Sequence, residues 1–160
     1  MLKIEHLTKC YGNHKAVDDL TLNIESGEIY AFIGHNGAGK TTTLKAIAGI
    51  LPFESGEIII NGHSIKDDPL AAKNEISYIP DNPDLYGFLK GIEYINFIAD
   101  VYKVEADVRK ERIEKYAKLL EIYDDLADPI NSYSHGMKQK IALISALVHD
   151  PKVILMDEPF

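Results

Sequence analysis

The chain has 160 residues with ordinary hydrophobic content, enough for one domain with a buried core. A formal net charge of −8 leaves no basic surplus to neutralise a nucleic-acid backbone, which argues against nucleic acid as a partner. The single cysteine, Cys10, excludes a disulfide framework or a zinc cluster and fits a cytosolic, reduced setting. No apolar run approaches the ~18 residues that cross a bilayer, so any membrane role comes through a partner.

Leu2-Lys3-Ile4-Glu5-His6-Leu7 alternates apolar and polar residues and predicts a half-buried strand. Leu20 to Glu25 alternates too, and Ser26-Gly27 turns the chain. Glu28-Ile29-Tyr30-Ala31-Phe32-Ile33 is short, apolar and β-rich, which predicts a buried strand. It leads into Gly34-His35-Asn36-Gly37-Ala38-Gly39-Lys40-Thr41, the spacing of a phosphate-binding loop. Thr42 through Gly49 predict a helix that Gly49 and Pro52 close. A loop between a strand and a helix N-terminus lets backbone N–H groups converge on phosphate oxygens, with the helix dipole adding positive potential. Lys40 then reaches the β- and γ-phosphates, and the Thr41 hydroxyl ligates Mg²⁺. A glycine-rich turn without a ligand explains the glycines but not their flanks.

Glu57 to Ile60 and Ile76-Ser77-Tyr78-Ile79 predict two further strands, the second ended by Pro80. From residue 81 the pattern turns helical. Ile92, Ile95, Ile98 and Tyr102 recur at helical spacing, as do Ile113, Tyr116, Ala117 and Leu120. The charged run Lys103 to Lys115 between them predicts a solvated helix face, with i,i+4 pairs Glu111–Lys115 and Glu114–Lys118. After Tyr133-Ser134-His135-Gly136 a helix carries Met137, Ile141, Ile144 and Val148 on one face, and Asp150-Pro151 stops it. Lys152 to Met156 is an apolar strand that delivers Asp157-Glu158-Pro159. The expected fold is α/β: a phosphate-loop NTPase core with an antiparallel β subdomain (1–80 and 134–160) and a helical insertion subdomain (81–133).

In a phosphate-loop enzyme Mg²⁺ is held by the loop hydroxyl and by a carboxylate at the end of a neighbouring strand. Asp157 suits that role. Glu158 is placed to accept a hydrogen bond from the water that attacks the γ-phosphate, as general base or as its orienter.

Over nearly all of its length the sequence resembles the ATPase subunits of ATP-binding cassette (ABC) transporters. Tyr11-Gly12 looks like the aromatic loop that stacks on adenine, with Val17 beside the base. Gly34, His35, Asn36, Gly37, Ala38, Gly39, Lys40, Thr41 and Thr42 match the phosphate loop. Ser55-Gly56-Glu57-Ile58 and Asn61-Gly62 match the strand and turn that follow it. Tyr133 to Lys140 resembles the family signature, Leu-Ser-Gly-Gly-Gln followed by a basic helix, and Val153 to Pro159 looks like the second phosphate-site motif. The resemblance implies an ATP-hydrolysing subunit with ATP and Mg²⁺ as cofactors. Its implied partners are an integral membrane permease and a second ATPase subunit in a head-to-tail dimer, placing it on the inner face of the cell membrane. In that dimer Ser134 and Gly136 cover the γ-phosphate of the partner's ATP. Ser134 as a plain helix N-cap explains the serine but not the whole stretch.

The chain departs from the pattern at three places. Asp81 stands where the family usually has Gln, an acceptor-only group expected near the Mg²⁺ shell. His135 and Met137 replace the usual Gly and Gln of the signature. Asp81 and His135 together resemble some bacterial exporter ATPases. The family's later Asp-containing dimer loop and γ-phosphate His are expected beyond Phe160, and His149 precedes the carboxylate strand and is no substitute. The expectation is a truncated member that binds nucleotide without turnover. Rival readings are a nucleotide-binding interaction module and a soluble, non-transport ABC protein, though the single acidic cassette argues against the latter. Without an Asn-Lys-x-Asp motif, a GTPase fits worse.

Overall fold

The computed structural model describes residues 1–158. Contacts divide the chain into two units, Met1–Tyr78 with 151–158, and Ile79–Asp150. The first is built on an antiparallel sheet in which β1 (Leu2–Tyr11) pairs with β2 (His14–Ile24) and β3 (Ser55–Ile60). With β4 (His63–Ser64) the order is β2-β1-β3-β4. β1 runs past the alternating stretch because a bulge resets its faces. Ile4 pairs with Leu22 but Leu7 with Leu20, and His6, at φ 52, is the extra residue. The buried positions of β1 are therefore Leu2 and Ile4, then Leu7 and Lys9.

One face of this sheet closes a core with α1 (Lys40–Ile47), which contributes Leu44, Ala46 and Ile47, and with Leu155. Gly49, at φ 65, ends the α1 turn, and Ile50 N–H reaches back to the Lys45 carbonyl at 3.0 Å. A short helix, α2 (Pro69–Asn74), is absent from the sequence reading. Its signal is the Asp68-Pro69 pair, in which the Asp68 side chain accepts from Ala71 N–H at 3.2 Å. β5 (Ile76–Ile79) pairs with β6 (Val153–Met156).

The predicted strand over 28–33 does not form. Ile29 and Ile33 are 101% and 95% exposed, and only Phe32 of this segment packs against the core. A strand is a paired structure, and none of the described strands pairs with these residues. Apolar β-rich composition states a preference and supplies no partner.

The second unit holds α3 (Gly91–Val101), α4 (Ala106–Leu119), a 3-10 turn (Ile130–Ser132) and α5 (His135–Leu147). Ile95 and Ala99 of α3, Ile113 of α4 and Ile141 and Ile144 of α5 share one core. By contact α5 groups with these helices, in the unit Ile79–Asp150. Of the two expected i,i+4 pairs on α4, Glu114–Lys118 forms at 2.6 Å. Lys115 instead lies over the Tyr116 ring, 5.4 Å from its centroid. The α4 arginines are structural. Arg109 donates to the Val104 carbonyl at 2.8 Å and pairs with Asp100 at 2.7 Å, and Arg112 donates to the Val148 carbonyl at 2.9 Å.

Candidate functional site

The loop before α1 turns on two glycines in the left-handed region, Gly37 at φ 85 and Gly39 at φ 84. Space pins Gly39 as well: a Cβ there would run into the Ala16 carbonyl oxygen and lie 3.6 Å from Val17 Cγ2. The loop thus rests directly on β2, and Val17 is buried beside it. Gly39 is the N-cap of α1, with no side chain bonded to the helix end. The first amides of a helix lack intrahelical acceptors, so this N-terminus is a seat for an anion. The Lys40 ammonium donates to the carbonyl oxygens of Gly34 at 2.8 Å and His35 at 3.2 Å, which lays its charge across the loop. Thr43 Oγ1 donates to the Gly39 carbonyl at 2.9 Å and fixes the loop–helix junction. Gly34, His35, Asn36, Ala38 and Thr41 are exposed, and Thr42 is half-buried in the first turn. His35 turns aside, its Nδ1 lying 2.7 Å from the Asn36 carbonyl.

Asp157 follows β6 and is only 6% exposed. Its Oδ1 accepts from Thr41 Oγ1 at 3.0 Å, a contact across 116 residues of sequence. Its Oδ2 accepts from the Tyr78 hydroxyl at 3.2 Å. Burial, reinforced by the Asp157 charge and this hydrogen bond, pushes Tyr78 up to about 12, so the hydroxyl stays a donor. Among the described residues no Lys, Arg or His forms an ion pair with Asp157. A buried carboxylate held by two neutral hydroxyls favours a cation. Mg²⁺ suits this donor set, because it takes one or two protein ligands and fills its shell with phosphate oxygens and water. Thr41 and Asp157 are the residues that would hold it.

The expected Thr41–Asp157 juxtaposition is therefore present, and Tyr78 is a third member that the sequence reading missed. The strand pattern registers Tyr78 as an aromatic. Its hydroxyl gains meaning only once β5 is known to pair with β6. Glu158 is exposed and left-handed at φ 49, a conformation that costs a non-glycine residue energy and is found often at functional sites. Tyr11 ends β1 and is 52% exposed. In the second unit, Asp81 is exposed in the bend after β5, and Ser134 is the N-cap of α5, accepting from Met137 N–H at 3.3 Å. Open space lies where a Gly136 side chain would be. No helix of the described residues is long and apolar enough to cross a membrane.

A sequence profile of the ABC transporter family matches residues 17–160. The chain belongs to that family. An uncharacterised ABC transporter ATP-binding protein of Bacillus subtilis, YhcH, is 37% identical across 99% of this chain and 51% of its own length. The SkfA peptide export ATP-binding protein SkfE of the same organism is 34% identical across 99% of this chain and 66% of its own. Among solved structures, an ATP-binding subunit of an ABC transporter superimposes with TM-score 0.94 at 32% identity, covering all of this chain and 67% of that one. The cassette MJ0796, a dimer in a post-hydrolysis state bound to ADP and Pi, matches with TM-score 0.86 at 27% identity, covering 99% and 74%. The cassette described here spans about half the length of the curated relatives it matches, 51% for both YhcH and the linearmycin resistance protein LnrL. Its α/β fold with an antiparallel sheet is that of ABC ATP-binding domains.

Proposed function

We propose that this cassette is the ATP-binding and ATP-hydrolysing part of a subunit that powers a membrane transporter, and that the transporter is a bacterial exporter. The observation that carries the reading is the Thr41–Asp157 hydrogen bond, which joins the phosphate loop to the carboxylate strand. In this reading the α1 N-terminus and Lys40 bind the β- and γ-phosphates, and Val17 and Tyr11 flank the adenine. Thr41 and Asp157 hold Mg²⁺, which supplies charge neutralisation between the phosphate oxygens when bound. Tyr78 keeps one Asp157 oxygen engaged, so the other faces Thr41. Glu158 accepts the proton of the attacking water or orients it.

Ser134 and Gly136 serve a second copy. An α-helix N-terminus with an unfilled glycine position can approach another subunit's phosphate. The dimer of MJ0796 supports a second ATPase subunit as a partner. A further solved structure, cbiO1 from Clostridium perfringens, which superimposes with TM-score 0.82 at 27% identity, is part of an ABC transporter complex. A permease would carry the cassette to the inner face of the cell membrane. Export is supported by the similarity to SkfE. The carnitine transport ATP-binding protein OpuCA of Listeria monocytogenes, 38% identical, is named for transport without a direction, and the alternative to export is import. Extrusion or accumulation of cargo by vesicles containing the permease separates the two.

Phosphate release tests the enzymatic reading. A full-length protein carrying this cassette should release phosphate over multiple turnovers. With Glu158→Gln it should bind ATP, stop hydrolysing and accumulate a dimer on sizing in ATP. Rapid hydrolysis by the Gln variant would remove Glu158 from the chemistry.

A further inference from the structure

Strand β1 carries a lysine at a core position. The bulge at His6 resets the strand's faces, so Lys9 follows Leu7 into the interior, 8% and 0% exposed, and Tyr11 comes next on that face. A buried ammonium needs a partner, and Lys9 Nζ has one in Glu54 Oε1 at 3.0 Å. The second Glu54 oxygen accepts from Cys10 N–H at 2.7 Å, and Glu54 N–H donates to the Thr8 carbonyl at 3.1 Å. Glu54 is thereby tied to three successive residues of β1. The Lys9 hydrogen bond, with the Cys10 amide behind it, holds the Glu54 carboxyl below the usual carboxylate range. The ammonium fixed in this way lies over the Tyr11 ring, 5.4 Å from its centroid. That is within cation–π reach.

We propose that Lys9, anchored by Glu54, is a positioning residue for the nucleobase: it holds the Tyr11 ring from one face so that adenine stacks on the other. This rests on the reading of Tyr11 as the adenine platform. The ammonium draws ring density toward itself and leaves the outer face better matched to an electron-rich purine. It also orders the ring before the base arrives, which lowers the entropy cost of stacking. Lys9 touches neither phosphate nor metal in this scheme. Its effect should appear only in ligands that carry a base.

The test is calorimetry of the chain with Mg-ATP and with inorganic tripolyphosphate, which has the phosphates and no base. Lys9→Met keeps the aliphatic stem and removes the charge. It should weaken ATP about three- to tenfold, the scale of a cation–π contact, and leave tripolyphosphate unchanged. Lys9→Arg should restore ATP affinity. Added to Tyr11→Ala, Lys9→Met should have no further effect. Equal weakening of both ligands, unchanged ATP affinity, or a full additional loss in the Tyr11→Ala background would each overturn the proposal. If Lys9→Met does not fold, Glu54→Gln releases the ammonium and should show the same loss for ATP alone; equal weakening of both ligands would overturn the proposal there too. Tyr11→Ala alone separates the two readings. If it leaves the ratio of ATP to tripolyphosphate affinity unaltered, the adenine platform itself is wrong. If it lowers that ratio while Lys9→Met does not, only the role of Lys9 is wrong.

Discussion

Asp157 collects the chemistry of the site at the scale of single residues. Two hydroxyls, Thr41 and Tyr78, point hydrogen-bond donors at its two oxygens. Tyr78 keeps its proton to about pH 12 in the fold, against 10.0 for an unperturbed tyrosine. The unfolded chain therefore loses this proton first. The stabilisation linked to Tyr78 is fully present below pH 10 and drains away as pH rises toward about 12. In an alkaline titration at 295 nm, the difference between the protein and Tyr78→Phe should be one phenolate appearing near pH 12. A difference centred near 10 would mean that Tyr78 is neither shielded nor bonded to Asp157. Thr41 and Asp157 are legible in the sequence because each motif states its own chemistry. Tyr78 and Lys9 are not, because their roles depend on which strand lies beside which and on a one-residue bulge.

At the scale of elements, the phosphate loop is shaped by what it leans on. Gly37 and Gly39 share a left-handed φ, but a Cβ on Gly37 meets nothing within 4 Å, whereas one on Gly39 meets the Ala16 carbonyl. Gly37→Ala should cost about 1 kcal/mol in urea unfolding from the backbone alone. Gly39→Ala should cost more, and should also weaken nucleotide binding, since relieving the clash moves the loop off β2. Equal costs would mean that the loop does not lean on Ala16. Helix α5 offers a plainer check: Ser134→Ala removes its N-cap bond and should destabilise the second unit by about 1 kcal/mol. Periodicity located α3, α4 and α5, because each has an apolar stripe to read. It placed a strand over 28–33 where none forms, because alternation and composition describe a segment's faces and say nothing about its neighbours.

For the whole molecule, the acidic balance and the site are set against each other. In our reading a chain of net charge −8 binds a polyanion, and Lys40 and a helix end supply the local positive field, where charge-assisted bonds are strong. We expect these 160 residues to bind nucleotide without multiple turnover, since turnover in our reading also needs Ser134 and Gly136 from a second copy. Multiple turnover in a phosphate-release assay at concentrations where the protein is monomeric would contradict that. The central claim is that the loop at 34–41 is a nucleotide triphosphate site, and calorimetry of Mg-ATP binding to Lys40→Ala tests it most directly. Loss of the ammonium should weaken binding by several kcal/mol, on the order of 100-fold or more, with the circular dichroism of the fold unchanged. An affinity equal to that of the unaltered protein would contradict the assignment.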